Sequence, residues 1–415
     1  MINTKTSSQV IALIVFLCVM ASDFIARINS YFGVSNGSTA ISIALNIAFL
    51  FFLVMLIIRF NIRLGIPIIC FYIFVFFMAS MVVSFLRGIY AASDYWDWKY
   101  LFGSVFFTSL LPLSIVVGVY FKIGIKIYRF ILRFLFVGGF AVLPIGYLFP
   151  EDSQTFARVM APVFLFILFL PYLNRRDKIL VLIVGVMSIT SDFGYRSNLL
   201  RVVFAFVLFG VYFFRNYVGK RLLNFASILL FCLPLIFLGT AITGYFNIFS
   251  DNQVEIEVAT EGKNDFGTAQ VGVDTRSFIY VESYTSMERR DASFIFGEGA
   301  GAGYESIFFQ YEAVNGRGRY SSEVAFVNSL LSSGLVGVLL FSLIIFSAVY
   351  YSINVSNNYL SKMLGLFLAF RWVMYFVEDI QQIDMNYLFL WILIGLCWSN
   401  EFRKMTDQQV RLFFQ

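Results

Sequence analysis

The chain has 415 residues, of which 60% are hydrophobic, 19% aromatic and only 13% charged, with a mean hydropathy of +0.81. A water-soluble domain carries about a quarter charged residues, so this composition excludes an ordinary soluble fold. The formal charge of +5 is too small for a nucleic-acid partner, and the absence of histidine removes the commonest general base and zinc ligand.

Apolar runs of span length recur from end to end, near residues 9–27, 38–58, 65–86, 100–121, 129–149, 154–173, 179–193, 197–214, 222–243, 328–350, 359–377 and 385–400. Runs such as AFLFFLVMLII at 48–58 lack the period-two alternation of a barrel strand, so helices are expected. The expected fold is an all-α polytopic membrane protein of about twelve transmembrane helices with a long, partly helical periplasmic loop. It divides into helices 1–9 (1–243), the loop (244–327), and helices 10–12 with a cytoplasmic tail (328–415). The first run has no small-residue cleavage site and exceeds a signal-peptide core, so it reads as a retained span. Cys18, Cys70, Cys232 and Cys397 all fall inside apolar runs without CxxC spacing and read as free thiols.

Charge sets the expected orientation. With the N-terminus cytoplasmic, the inner turns hold Arg59 and Arg63, Lys122 to Arg133, Arg175 to Lys178, Arg215 to Arg221, Lys362 and Arg403 to Arg411. The outer turns hold far fewer basic residues, and the only charges in the turn from Glu378 to Asp384 are acidic. Within the outer loop, 251–272 is polar and reads as mobile. Asp274 to Arg290 reads as a helix, with Asp274 at its N-cap and Phe278, Val281 and Tyr284 on one face. Gly297, Gly299, Gly301 and Gly303 mark a tight turn.

A few polar residues stand out as candidates for chemistry. Arg196 lies at the outer junction of the seventh and eighth runs, and Arg201 is five residues deeper, where charge is costly without a cavity or partner. Arg276 falls in the first turn of the loop helix, where the macrodipole favours an acid, and so suits anion binding. Glu323 sits where the loop re-enters the membrane; partial desolvation there would make it a better base. Arg371 lies seven residues before Glu378, implying a buried pair or a cavity lining. Arg289 and Arg290 close the loop helix and are secondary candidates. Asp94 and Asp97, in Asp94-Tyr-Trp-Asp-Trp98, suit either a sugar contact or an interfacial aromatic belt.

Three motifs occur in order: RSFIY from Arg276, FGEG at 296–299, and EVAFVNSLLSSGLVG at 323–337. Over about residues 185–345 this order resembles the Wzy-type O-antigen polymerase and O-antigen ligase superfamily of membrane glycosyltransferases; elsewhere the likeness is one of hydropathy and span count. The resemblance implies an O-antigen polymerase in the bacterial inner membrane. It would join undecaprenyl-pyrophosphate-linked oligosaccharide units at the periplasmic face by inverting, metal-independent transfer, with no cofactor. It implies pyrophosphate binding by Arg196 and Arg276, and a chain-length regulator and a flippase as pathway partners. Family ligases usually carry a histidine just before the span that contains Asn and Gly; here that neighbourhood holds Glu323, which argues against a ligase and nominates Glu323 as catalytic base. The rivals are an O-antigen ligase and a transporter or flippase of lipid-linked oligosaccharide. The absence of an internal repeat and the long outer insertion weigh against transport.

Overall fold

The computed structural model describes residues 4–32, 37–60, 62–120, 163–190, 196–242, 254–259, 266–271, 277–306 and 319–414. The predicted span at 129–149 and Arg276 lie outside them, and Arg196 is described by its backbone alone. The helices are α1 (Thr4–Phe32), α2 (Gly37–Arg59), α3 (Ile68–Ala91), α4 (Tyr95–Val119), α5 (Val163–Phe169), α6 (Arg175–Thr190), α7 (Arg196–Phe213) and α8 (Lys220–Ile242). After the loop come α10 (Ala325–Asn354), α11 (Tyr359–Tyr375), α12 (Met385–Trp398) and the short α13 (Asp407–Phe414); α9 (Ser277–Arg289) lies in the loop.

Five of these helices are long and apolar enough to cross a membrane: Ala40–Arg59 within α2, α3, α4, Lys220–Gly239 within α8, and α10. Shorter apolar segments, Ser8–Asp23, Ser197–Phe213 and Met385–Trp398, account for three more of the predicted runs. At 1.5 Å per residue the 24 residues of α3 reach about 36 Å, enough for a bilayer's hydrocarbon core. Helix α4 is not uniform. A wide turn at Leu101–Val105 and a tight turn at Leu111–Ser114 interrupt it, the latter where Pro112 removes a backbone donor.

Helices α11 and α12 form the centre. Every residue of α12 is buried, as are nearly all of α11. Side-chain caps start both: Asn358 accepts from Ser361 N at 2.7 Å, and Asp384 accepts from Tyr387 N at 2.8 Å. Around them, α2, α3, α8 and α10 keep large apolar side chains exposed, among them Phe51, Phe76, Ile228 and Leu339, as a lipid-facing surface requires. Gly118 of α4 and Gly395 of α12 bring those helices into backbone contact; a Cβ on Gly118 would collide with Ile392 O.

The loop differs from expectation at its start. Val254–Ala259 (β1) and Phe266–Val271 (β2) pair antiparallel, from Val254 opposite Val271 to Ala259 opposite Phe266. Val254, Ile256 and Val258 alternate with Glu255 and Glu257, a two-residue period that favours a strand. The predicted loop helix is present as α9, whose buried Ile279 and Met287 pack with Val324, Val327 and Leu331 at the start of α10.

Candidate functional site

A cavity of about 540 Å³ opens at the end of the bundle where α1 and α3 finish and α2, α4, α10 and α12 begin. This is the loop-bearing end, opposite the Arg175–Lys178 and Lys220–Arg221 clusters. Its size is that of an ordinary small-molecule site, but its lining is unusually polar. Ser22 and Asp23 come from α1, Ser42 and Asn46 from α2, and Tyr100, Ser104 and Thr108 from α4. Asn328, Ser329 and Ser332 come from α10, and Asp379, Gln381, Gln382 and Asp384 from the α11–α12 turn. Three carboxylates line it, and no lysine or arginine among the described residues does.

The glycine run builds one wall. Helix α10 breaks at Gly334, whose φ of 63° is a left-handed conformation that a β-carbon disfavours. The loop strand 294–299 runs into the break and satisfies its backbone: Leu335 N donates to Phe294 O at 2.9 Å, Val336 N to Ile295 O at 3.1 Å, and Glu298 N to Leu331 O at 2.7 Å. A Cβ on Gly334 would strike Ile295 O, and one on Gly297 would come within 2.7 Å of Gly334 N. Arg87 of α3 grips the strand's other side, donating to Phe296 O at 2.6 Å and to Gly297 O, while Ala300 N donates to Ser84 O at 2.8 Å. Gly301 and the flanking alanines are thereby held over the cavity. Irregular backbone of this kind at a helix break is tolerated where it lines a cavity.

Beside the cavity lies a buried ion triad. Glu378 accepts from Arg371 Nη1 at 2.9 Å and faces Arg201 Nη2 at 3.7 Å; both arginine side chains are 2% exposed. Burial alone would raise the Glu378 carboxyl, but the two guanidinium groups outweigh it and hold it below its usual range. The next residue, Asp379, turns the other way, to the cavity. Its carboxylate accepts from Gln381 N at 3.0 Å and from Gln382 Nε2 at 3.2 Å. Burial pushes it up to about 6, and the charge of Asp384 adds to the effect.

The residues singled out in the sequence divide between these places. Arg371 is in the buried pair and not in the cavity lining, and Arg201 joins it. Arg289 pairs with Glu305 at 3.3 Å on the loop surface; Arg290 pairs with Glu298 at 3.0 Å and donates to Gly303 O at 2.7 Å, so Arg290 ties α9 to the glycine strand. Glu323 is not in the desolvated setting expected of it. Its side chain is 46% exposed, it pairs with Arg319 at 3.4 Å, and it does not line the cavity. Asp94 and Asp97 form a capping box that starts α4, with Asp97 also accepting from Tyr320 Oη at 2.7 Å. Asp379 and Asn46 were not singled out, because neither lies in a motif.

Two helices converge on the α11–α12 turn. Helix α7, which Arg196 opens, reaches it through the contact of Arg201 with Glu378. Helix α9, which begins one residue after Arg276, reaches it through Tyr280 Oη, which donates to Phe376 O at 2.7 Å. Among the described residues no three carboxylates or thiols converge as a metal site. Comparisons with protein-family models, curated proteins and solved structures return no match.

Proposed function

We propose that the chain is a membrane glycosyltransferase of the Wzy type: an O-antigen polymerase that joins polyprenyl-pyrophosphate-linked oligosaccharide units at the outer face of the bacterial inner membrane. The full reading has twelve spans, both termini cytoplasmic and residues 244–327 periplasmic. The observation that carries it is the convergence just described. Helices α7 and α9, opened by Arg196 and preceded by Arg276, meet one turn, and that turn borders a cavity rich in hydroxyls, amides and carboxylates. Arginine suits a pyrophosphate, and a polar neutral-to-acidic cavity suits a sugar.

In this reading an acceptor hydroxyl attacks the anomeric carbon of the donor chain. The new glycosidic bond forms as the bond to pyrophosphate breaks, and the polyprenyl pyrophosphate leaves with the electron pair. A single displacement inverts the anomeric centre. Arg196 and Arg276 offset the charge that develops on the leaving group, for which the fixed guanidinium fork is suited.

Deletion of the gene in its source cells tests the function and separates its rivals. A polymerase deletion removes the ladder of long surface polysaccharide and leaves single repeat units; complementation restores the ladder. A ligase deletion instead leaves long polymer on the polyprenyl carrier, and a flippase deletion traps single units on the cytoplasmic face. Either of those outcomes, or an unchanged ladder, refutes the proposal.

A further inference from the structure

Resting on the glycosyltransferase reading, we infer that the cavity beneath the glycine strand is the acceptor site, that it takes a neutral polyhydroxylated sugar, and that Asp379 accepts the proton of the attacking hydroxyl. Three observations carry this. First, Asn46 on α2 is 3% exposed and lines the cavity, yet its side-chain oxygen has no hydrogen-bond partner among the described residues. A buried bare acceptor costs about 1–3 kcal/mol, and a ligand hydroxyl is the donor that fits it. Second, the cavity presents Asp23, Asp379 and Asp384 with no cation in its described lining, so it repels phosphate and attracts hydroxyl donors. The charged half of the lipid-linked substrate therefore belongs outside this cavity.

Third, Asp379 is held for the task. Gln381 N and Gln382 Nε2 of its own turn donate to it and Asn328 of α10 is a further hydrogen-bond partner; together they fix the carboxylate while leaving a lone pair for a hydroxyl. Asp384 is occupied in capping α12 through Tyr387 N, and Glu323 is exposed and paired with Arg319. The titratable groups that face Asp379 are Tyr100 of α4, Tyr375 of α11, and Asp384 and Tyr387 at the start of α12. Asp379 titrates at about 6, so it is ionised at neutral pH and still basic enough to take a proton in the transition state. In the step, the hydroxyl O–H bond breaks as the C–O bond forms, and the proton passes to Asp379 while polyprenyl pyrophosphate departs.

The test uses full-length protein in detergent with lipid-linked oligosaccharide extracted from source cells in which the gene is deleted. Wild type should form a product ladder, and its kcat/KM should fall below about pH 6 as Asp379 protonates. Asp379→Asn should lose on the order of 10²–10⁴ in rate while binding the lipid-linked donor as wild type does. Asp384→Asn keeps the cap but removes a negative neighbour, so the acid limb should move to lower pH. An Asp379→Asn enzyme within threefold of wild type overturns the assignment, as does a limb unmoved in Asp384→Asn; the latter also decides the matter if Asp379→Asn does not fold. Absence of any ladder from wild type overturns the glycosyltransferase reading itself, and this inference falls with it.

Discussion

Glu378→Gln neutralises the carboxylate that two buried arginines share. The substitution keeps the side chain's shape and one hydrogen-bond acceptor for Arg371, so packing is preserved and only charge changes. Glu378 lies 2.9 Å from Arg371 and 3.7 Å from Arg201, and both guanidinium groups are sealed from solvent. At an effective dielectric constant of about 20, a unit pair at such distances is worth roughly 4 kcal/mol. Removing one partner of a buried pair typically costs about 3–5 kcal/mol, because the remaining charge stays desolvated. Here two guanidinium groups lose an anion that they share, so the loss should lie at the upper end of that range. Arg371→Met leaves a balanced Arg201–Glu378 pair and should cost less. Thermal unfolding in detergent, followed with a thiol-reactive dye in a Cys232→Ser background that removes the exposed thiol, reads the effect directly because Cys18, Cys70 and Cys397 are buried and react only as the bundle opens. The midpoint should fall by several degrees in Glu378→Gln and by less in Arg371→Met. Equal midpoints for Glu378→Gln and wild type would mean that solvent or lipid phosphate neutralises the arginines, and the sealed triad would be wrong.

Further predictions follow from the loop, the arginines and the orientation. Gly334→Val places a β-carbon against Ile295 O at a positive φ, so the glycine strand should leave the break in α10; limited proteolysis should then cleave between residues 294 and 303, where wild type resists. Intact cleavage resistance in Gly334→Val would contradict that packing. Arg196→Ala and Arg276→Ala should each lower polymerisation by on the order of 10²–10³, and the lysine variants should also fall because the fork is lost; full activity in both alanine variants removes the pyrophosphate assignment. In a background without native cysteines, an impermeant maleimide on intact spheroplasts should label Asn264→Cys and spare Asn357→Cys. The reverse pattern inverts the topology.

Much of the fold is legible in the sequence because lipid restricts the choice: an apolar run of span length has to be helical, and helices stand where the runs are described. The Arg371–Glu378 pair was also legible, since a spacing of seven puts both near one face and buried charges seek partners. The cavity was not, because its walls come from α1, α2, α3, α4, α10 and a turn, and no local pattern joins Asn46 to Asp379. The glycine run illustrates the same limit. Its spacing announces a turn, but its role depends on a break in α10 that begins thirty-seven residues after Gly297, at Gly334. Two further signals lie in the sequence itself. Arg319 lies four residues before Glu323, close enough along the chain to pair with it at the surface. The alternation from Val254 to Val258 announced a strand inside a stretch whose polarity suggested a mobile loop.

A polymerase of this type itself makes the glycosidic bond between lipid-linked repeat units. The most direct measurement is the conversion of purified lipid-linked repeat units by the purified chain, in excess EDTA, with products resolved by length on a gel. A polymerase should give a regular ladder, each step one repeat unit longer, with release of polyprenyl pyrophosphate in equal amount to the bonds formed. Unchanged single units under conditions where the protein remains folded, or a ladder that needs added Mg²⁺ or Mn²⁺, would contradict the proposed function.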